Sequence, residues 1–176
     1  VLLSTQRSDR GAYQALFREQ RVHKTYQAIA PYRPELGFPR EHHSRMQESG
    51  HFIRMHEVAG PPNSHTRLTL LEHNTHWARY QLEPISGKRH QLRVHMAALG
   101  IGILGDGLYP EVNDAPEGDF SRPLRLLAQA IAFTDPLTQQ QRHFHSQYTL
   151  GALPPAPAPE PAPSGQQTCQ GLPANA

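Results

Sequence analysis

Residues 77–99 carry two side-chain periods back to back, and that join constrains the chain more than any other feature. Trp77, Arg79, Gln81 and Glu83 alternate with Ala78, Tyr80 and Leu82, the two-residue repeat of a strand with one buried face. Over residues 89–99 the repeat lengthens to that of a helix, with Leu92, His95, Met96 and Leu99 on one side and Gly100 placed to cap its end. Pro84 and Gly87 bound the turn between them. A strand must therefore give way to a helix within a few residues.

The rest of the chain reads mainly as strands. Alternation marks residues 23–30, 52–58, 66–72 and 143–150, a further strand begins at Phe133, and residues 1–4 look like the end of a buried strand. Helices are expected at residues 11–19, with Asp9 as cap and Ala12, Ala15 and Leu16 on the apolar side, and at residues 124–132. Residues 31–50 hold prolines, glycines and many polar side chains and read as a loop or irregular insertion, as do residues 101–123. Strands outnumber helices without alternating regularly with them. The expected fold is α+β, a mostly antiparallel sheet with a few flanking helices, rather than a doubly wound parallel sheet.

Composition divides the 176 residues at position 151. Residues 151–176 contain seven prolines and one charged side chain, Glu160, and cannot bury enough apolar surface to offset their ordering entropy, so they are expected as a disordered tail. Residues 1–150 make one domain of ordinary size. Cys169 has no partner for a disulfide, and the expected setting is the cytoplasm. No apolar run is long enough to span a membrane as a helix, so no membrane partner is expected, and the expected state is a monomer. The cations are 15 Arg against 2 Lys, a bias toward phosphate and base contacts that mildly favours RNA over a purely structural surface.

The cations cluster where the helix opens. Lys88, Arg89 and His90 follow the glycine turn, so they and the helix-terminal N–H groups either face an anionic backbone or form a solvated helix start. Arg93 lies one turn further on, between Leu92 and Val94. A guanidinium there either meets a carboxylate or snorkels to the surface.

Residues 86–95, Ser-Gly-Lys-Arg-His-Gln-Leu-Arg-Val-His, resemble the Gly-Arg-Thr-His-Gln-Ile-Arg-Val-His pattern of the RluA-type RNA pseudouridine synthases. The continuation Ile103-Leu104-Gly105-Asp106 is similar to that family's Pro-Ile-Leu-Gly-Asp, and Lys24-Thr25-Tyr26-Gln27-Ala28 to its Lys-x-Tyr-x-Ala strand. Arg125-Leu126-Leu127-Ala128 and Phe133-Thr134-Asp135-Pro136 resemble its Leu-His-Ala and Phe-x-His-Pro, with Leu127 and Asp135 standing where histidines are common. The resemblance implies a pseudouridine synthase catalytic domain that isomerises a uridine of ribosomal or transfer RNA without a cofactor. It implies that Tyr26 lies against the target base, that Arg93 pairs with the catalytic aspartate, that Leu126 lines the pocket, and that Lys88, Arg89, His90, Gln91 and His95 contact RNA.

The family carries its aspartate in His-Arg-Leu-Asp-Arg, ahead of the strand that here begins at Val1, so the aspartate is expected upstream of Val1 and the domain to be incomplete at its N-terminus. Asp9-Arg10 mimics the pair, but Ser8 precedes it. A non-catalytic RNA-binding remnant is the alternative. A metal hydrolase is not expected: the histidine pairs lack the acidic or cysteine companions of a known zinc spacing, and His90 and His95 are five residues apart, off a shared helix face.

Overall fold

The computed structural model describes residues 5–50, 54–112 and 121–156. Its strands are β1 (Val22–Pro31), β2 (Arg40–Glu48), β3 (Met55–Val58), β4 (Ser64–His73), β5 (Trp77–Pro84), β6 (Leu126–Thr134) and β7 (Gln141–His145). They form one sheet in the order β3-β2-β4-β5-β1-β6-β7, and every neighbouring pair is antiparallel. Two helices, α1 (Arg10–Arg18) and α2 (Gln91–Ala98), complete the expected α+β class.

The join at residues 77–99 organises the core. In β5 the inward positions Ala78, Tyr80 and Leu82 are fully buried, and across the ladder Tyr80 faces Ala28 while Ala78 faces Ala30. Alanine in β1 beside tyrosine in β5 leaves room for α2 to lay Leu92 and Met96 on the same face, joined by Leu68, Ile101 and Ile103. Gly100, at φ +72°, ends the helix: its N–H donates to Ala97, and the next N–H, of Ile101, to Met96. At the opposite end α1 seats Leu16 against Val22 and Phe133.

Two expectations fail. Residues 31–50 are not an irregular insertion, since they contain the nine-residue strand β2, which pairs with β4 through residues 40–44 and with β3 through residues 45–48. Its buried positions are Ser44 and Met46, so its inner face carries too little apolar alternation to announce a strand. Residues 124–132 are not a helix: they lead into β6, which pairs with β1 on one edge and β7 on the other. Leu, Ala and Gln favour helix locally, and the ladders on both edges override that preference.

Smaller differences lie at the ends. Phe133 stands near the end of β6 rather than at the start of a strand, β7 is Gln141–His145, and β3 is Met55–Val58, with residues 52–53 of the expected strand outside the described residues. Asp9 precedes α1 but caps nothing. Its backbone already has helical angles, and its carboxylate accepts from Ser8 Oγ at 2.8 Å. Residues 151–156, grouped with the tail by composition, are held against the β4–β5 hairpin: Asn74 Nδ2 donates to the Pro154 carbonyl and Trp77 Nε1 to that of Pro155. The strand end at residues 1–4 and the tail beyond residue 156 lie outside the described residues.

Leu82 is fully enclosed where β5, β1 and α2 meet. Leu82→Ala is expected to lower unfolding free energy by about 3 kcal/mol, read from urea denaturation. A loss below about 1 kcal/mol would contradict the packing described.

Candidate active site

The turn from β5 into α2 is held from within by one side chain. Gln91 Oε1 accepts from Ser86 Oγ at 2.7 Å and from the Lys88 amide at 3.0 Å, while its Nε2 donates to the His65 carbonyl and Thr66 Oγ1, each at 2.9 Å. All the hydrogen-bonding directions of the carboxamide are engaged. One turn along the helix, His95 is wholly enclosed, with Nδ1 2.9 Å from Thr66 Oγ1 and Nε2 near 3 Å from Ser44 Oγ and Ser64 Oγ. Of the expected RNA contacts Gln91 and His95, His95 has no exposed surface, while Gln91 also borders the cavity beside Arg93. Both side chains are buried and bolt α2 to β4 and β2.

Arg93 lies about 200° around the helix from Gln91, on the side those bolts leave accessible. Asp106 receives it in a fork, Nε to Oδ2 at 2.8 Å and Nη2 to Oδ1 at 2.5 Å. The Asp106 side chain is 1% exposed, and its Oδ1 also accepts the amides of Leu108 and Tyr109. Arg93 thus does meet a carboxylate, as a boundary guanidinium should, and among the described residues it is that of Asp106. Its Nη1 has no hydrogen-bond partner among the described residues, and its guanidinium carbon sits 5.2 Å from the centre of the Tyr109 ring.

A cavity of about 420 Å³ opens beside Arg93. Lys24 and Tyr26 of β1, Leu126 of β6, and Lys88 and His90 of the turn share its wall with Arg93. Tyr26 and Lys24 are two residues apart on one strand, and Leu126 faces Ala28 across the ladder, so the alternation of β1 puts all three on the cavity side. Lys88 and Arg93 were singled out as cations from the sequence. Lys24 was not, although its place two residues before Tyr26 was the available signal. Its ammonium donates to the Ser86 carbonyl at 3.2 Å, and burial lowers its pKa.

The remaining expected RNA contacts differ in exposure. Lys88 is exposed at the cavity mouth. Arg89 is exposed but reaches back to Glu48 at 3.2 Å. His90 is half-buried at the head of α2 in a left-handed conformation, φ +54°, which costs a non-glycine residue about 1 kcal/mol. Its Nδ1 lies 3.1 Å from the Tyr109 hydroxyl, and burial, followed by the charges of Arg93 and Arg89, lowers its pKa and keeps it neutral near pH 7. Among the described residues no carboxylate lines the cavity, and its cations Lys24, Lys88 and Arg93 suit an anionic or strongly hydrogen-bond-accepting ligand.

Histidines and carboxylates that could hold a metal meet elsewhere. Glu41, His43 and His65 form one group, and His42, Glu57 and His95 another. In the first group Glu41 stands two residues before His43 on β2, and strand pairing with β4 adds His65.

Comparison with known proteins places these features. The family described as RNA pseudouridylate synthase matches residues 1–98, which include Tyr26 and Arg93. The dual-specificity RNA pseudouridine synthase RluA of Yersinia pestis is 45% identical over 67 residues, 38% of this chain and 31% of that protein. The RNA pseudouridylate synthase domain-containing protein 1 of Mus musculus is 35% identical over 91 residues, 49% of this chain and 28% of that one. The chain thus spans about a third of the length of these curated relatives. Among solved structures, human RNA pseudouridylate synthase domain containing 1 superposes with a TM-score of 0.65 at 24% identity, covering 81% of this chain and 61% of that one, a likeness of fold.

Two outcomes follow from the bolts and the fork. Burial, aided by the charges of His42, His65 and His43, lowers the His95 pKa from 6.5 to about 3. Between those values the unfolded chain takes up a proton that the folded chain refuses, so this contribution to stability is full above pH 6.5 and falls as pH drops. The slope is up to about 1.4 kcal/mol per pH unit. Urea titrations from pH 7 to 4 should show it, and His95→Gln should flatten it; an unchanged slope would contradict the burial. Asp106→Ala leaves Arg93 unpaired and should destabilise the fold by about 3 kcal/mol, also in urea, whereas a neutral result would contradict the fork.

Proposed function

Because the chain belongs to the RNA pseudouridylate synthase family, in its RluA-type branch, we propose that its cavity receives a uridine of ribosomal or transfer RNA for isomerisation to pseudouridine. The observation that carries this reading is the convergence of Arg93, Tyr26 and Leu126 on one cavity, with Arg93 fixed by Asp106 and one of its nitrogens unpartnered among the described residues.

The reaction breaks the bond from C1′ to N1, turns the base, and joins C1′ to C5. The proton on C5 leaves and N1 regains one, so no net oxidation occurs and the work is positioning and charge stabilisation. In this reading Tyr26, which lines the cavity from β1, supports the base and takes part in removing the C5 proton. A uridine reaches such a site only out of its stack, and Lys88 and Lys24 at the cavity wall offer charge to the backbone or to the base oxygens.

Among the described residues no aspartate lines the cavity to act on the sugar: Asp9 is 2.8 Å from Ser8 Oγ beside α1, Asp106 is buried in its fork, and Asp135 accepts the amides of Leu137 and Thr138. Arg93 would orient the incoming carboxylate through its unpartnered nitrogen and keep it ionised. The proposal places the reaction in the cytoplasm and treats the enzyme as a monomer that needs no cofactor.

Tritium release from RNA labelled at uridine C5 tests this. A version carrying a His-Arg-Leu-Asp-Arg segment of the family type joined ahead of Val1 should release label. The 176-residue chain should not, and Arg93→Met in the extended protein should slow release by at least about 100-fold. Release by the chain alone would reassign the nucleophile. No release by the extended protein from any ribosomal or transfer RNA would favour a non-catalytic RNA-binding role.

A further inference from the structure

On the outer face of the sheet, Glu41 and His43 stand two residues apart on β2, and His65 lies directly opposite His43 on β4. Glu41 Oε2 is 3.4 Å from His43 Nε2 and 3.2 Å from His65 Nε2, and all three donor atoms fall within 4.8 Å of one another. Bonds of about 2.0–2.2 Å to a tetrahedral cation put its donors roughly 3.3–3.6 Å apart; the Glu41–His43 pair falls in that range and the Glu41–His65 pair lies just below it.

The His65 ring nitrogen has no outlet of its own. Nε2 is buried and makes no hydrogen bond, since its approach to Glu41 has ion-pair distance without hydrogen-bond geometry. Glu41 is held in place from behind: Arg67 Nε donates to Oε1 at 2.8 Å, which leaves Oε2 for the histidines and lowers the carboxyl pKa.

We propose that Glu41, His43 and His65 form a site for one divalent transition-metal cation of zinc type, with water completing its coordination. The two histidine rings are stacked at 3.9 Å with 20° between their planes. Bringing both lone pairs to one point requires one ring to turn, and His43, half exposed, is the ring with room to do so. The second group does not compete. His95 Nε2 already lies between two serine hydroxyls in a closed interior, and His42 Nε2 is engaged with Glu57 at 2.8 Å.

The site bears on the cavity through the backbone of His65. Its amide donates to Ser86 Oγ, and its carbonyl accepts from the Ile85 amide and Gln91 Nε2, so the same residue anchors the turn that opens α2. A cation there joins β2 to β4 at that anchor.

Titration of the metal-free protein with Co²⁺ and Zn²⁺ tests the proposal. One equivalent of Co²⁺ should bind with the visible absorption of a four- or five-coordinate ion and be displaced by Zn²⁺. His43→Ala and Glu41→Gln, both at exposed positions, should each weaken Zn²⁺ at least about 10-fold with unchanged circular dichroism, while His143→Ala on β7 should bind as the parent does. The absence of saturable binding would overturn the site. So would equal affinity in the parent and both cluster variants, or loss on His42→Ala with His43→Ala unchanged.

Discussion

The carboxamide of Gln91 is the constraint on which the rest of the site depends. Its four hydrogen bonds tie the turn after β5 and the first turn of α2 to a single segment of β4. A hydrogen bond to a buried amide is worth about 1 kcal/mol net, but leaving one such group unpaired costs more, so the helix has one seating in which all partners are met. His95, one turn later, repeats the attachment through Thr66, Ser44 and Ser64. With two points of a short helix fixed to the sheet, the direction in which Arg93 leaves the helix is fixed as well.

That direction makes chemistry available. Asp106 takes two of the guanidinium's nitrogens, and Tyr109 covers its plane. Tyr109 also binds the Met55 amide through its hydroxyl, which lies near His90 Nδ1, so the loop after α2, strand β3 and the head of α2 meet at one ring. Arg93 is thereby preorganised before any ligand arrives, which is what electrostatic stabilisation of a developing charge requires. Across the cavity, β1 carries Lys24 and Tyr26 on a strand paired along both edges, an equally rigid wall.

What was legible in the sequence follows from where hydrophobic contrast exists. Strands β1, β4 and β5 and helix α2 bury apolar side chains at regular intervals, and their positions were read within a few residues. The inner face of β2 instead meets a polar network through Ser44, so its period is invisible to hydropathy. Strand β6 is alanine-rich, and its identity comes from two neighbours that local propensity does not register. At the site, the family pattern brought Tyr26, Arg93 and Leu126 forward, and the structure gathers them in one cavity. It did not separate the motif residues that face the ligand from those that hold the motif in place. His95 only holds the motif in place, whereas Gln91 holds it and also lines the cavity, a distinction set by the sheet beneath them. Asp106 as the partner of Arg93 required the path of the loop that follows α2, which no periodicity encodes.

The central claim is that the space between β1 and α2 receives a uridine. Photo-crosslinking with single-stranded RNA that carries one 4-thiouridine, followed by mass-spectrometric mapping, tests it most directly. The account places the crosslinks on Tyr26, Leu126 or the segment 84–93, and expects Tyr26→Ala to reduce them. Crosslinks confined to the outer edges of the sheet, at β3 or β7, with none at the cavity, would contradict it.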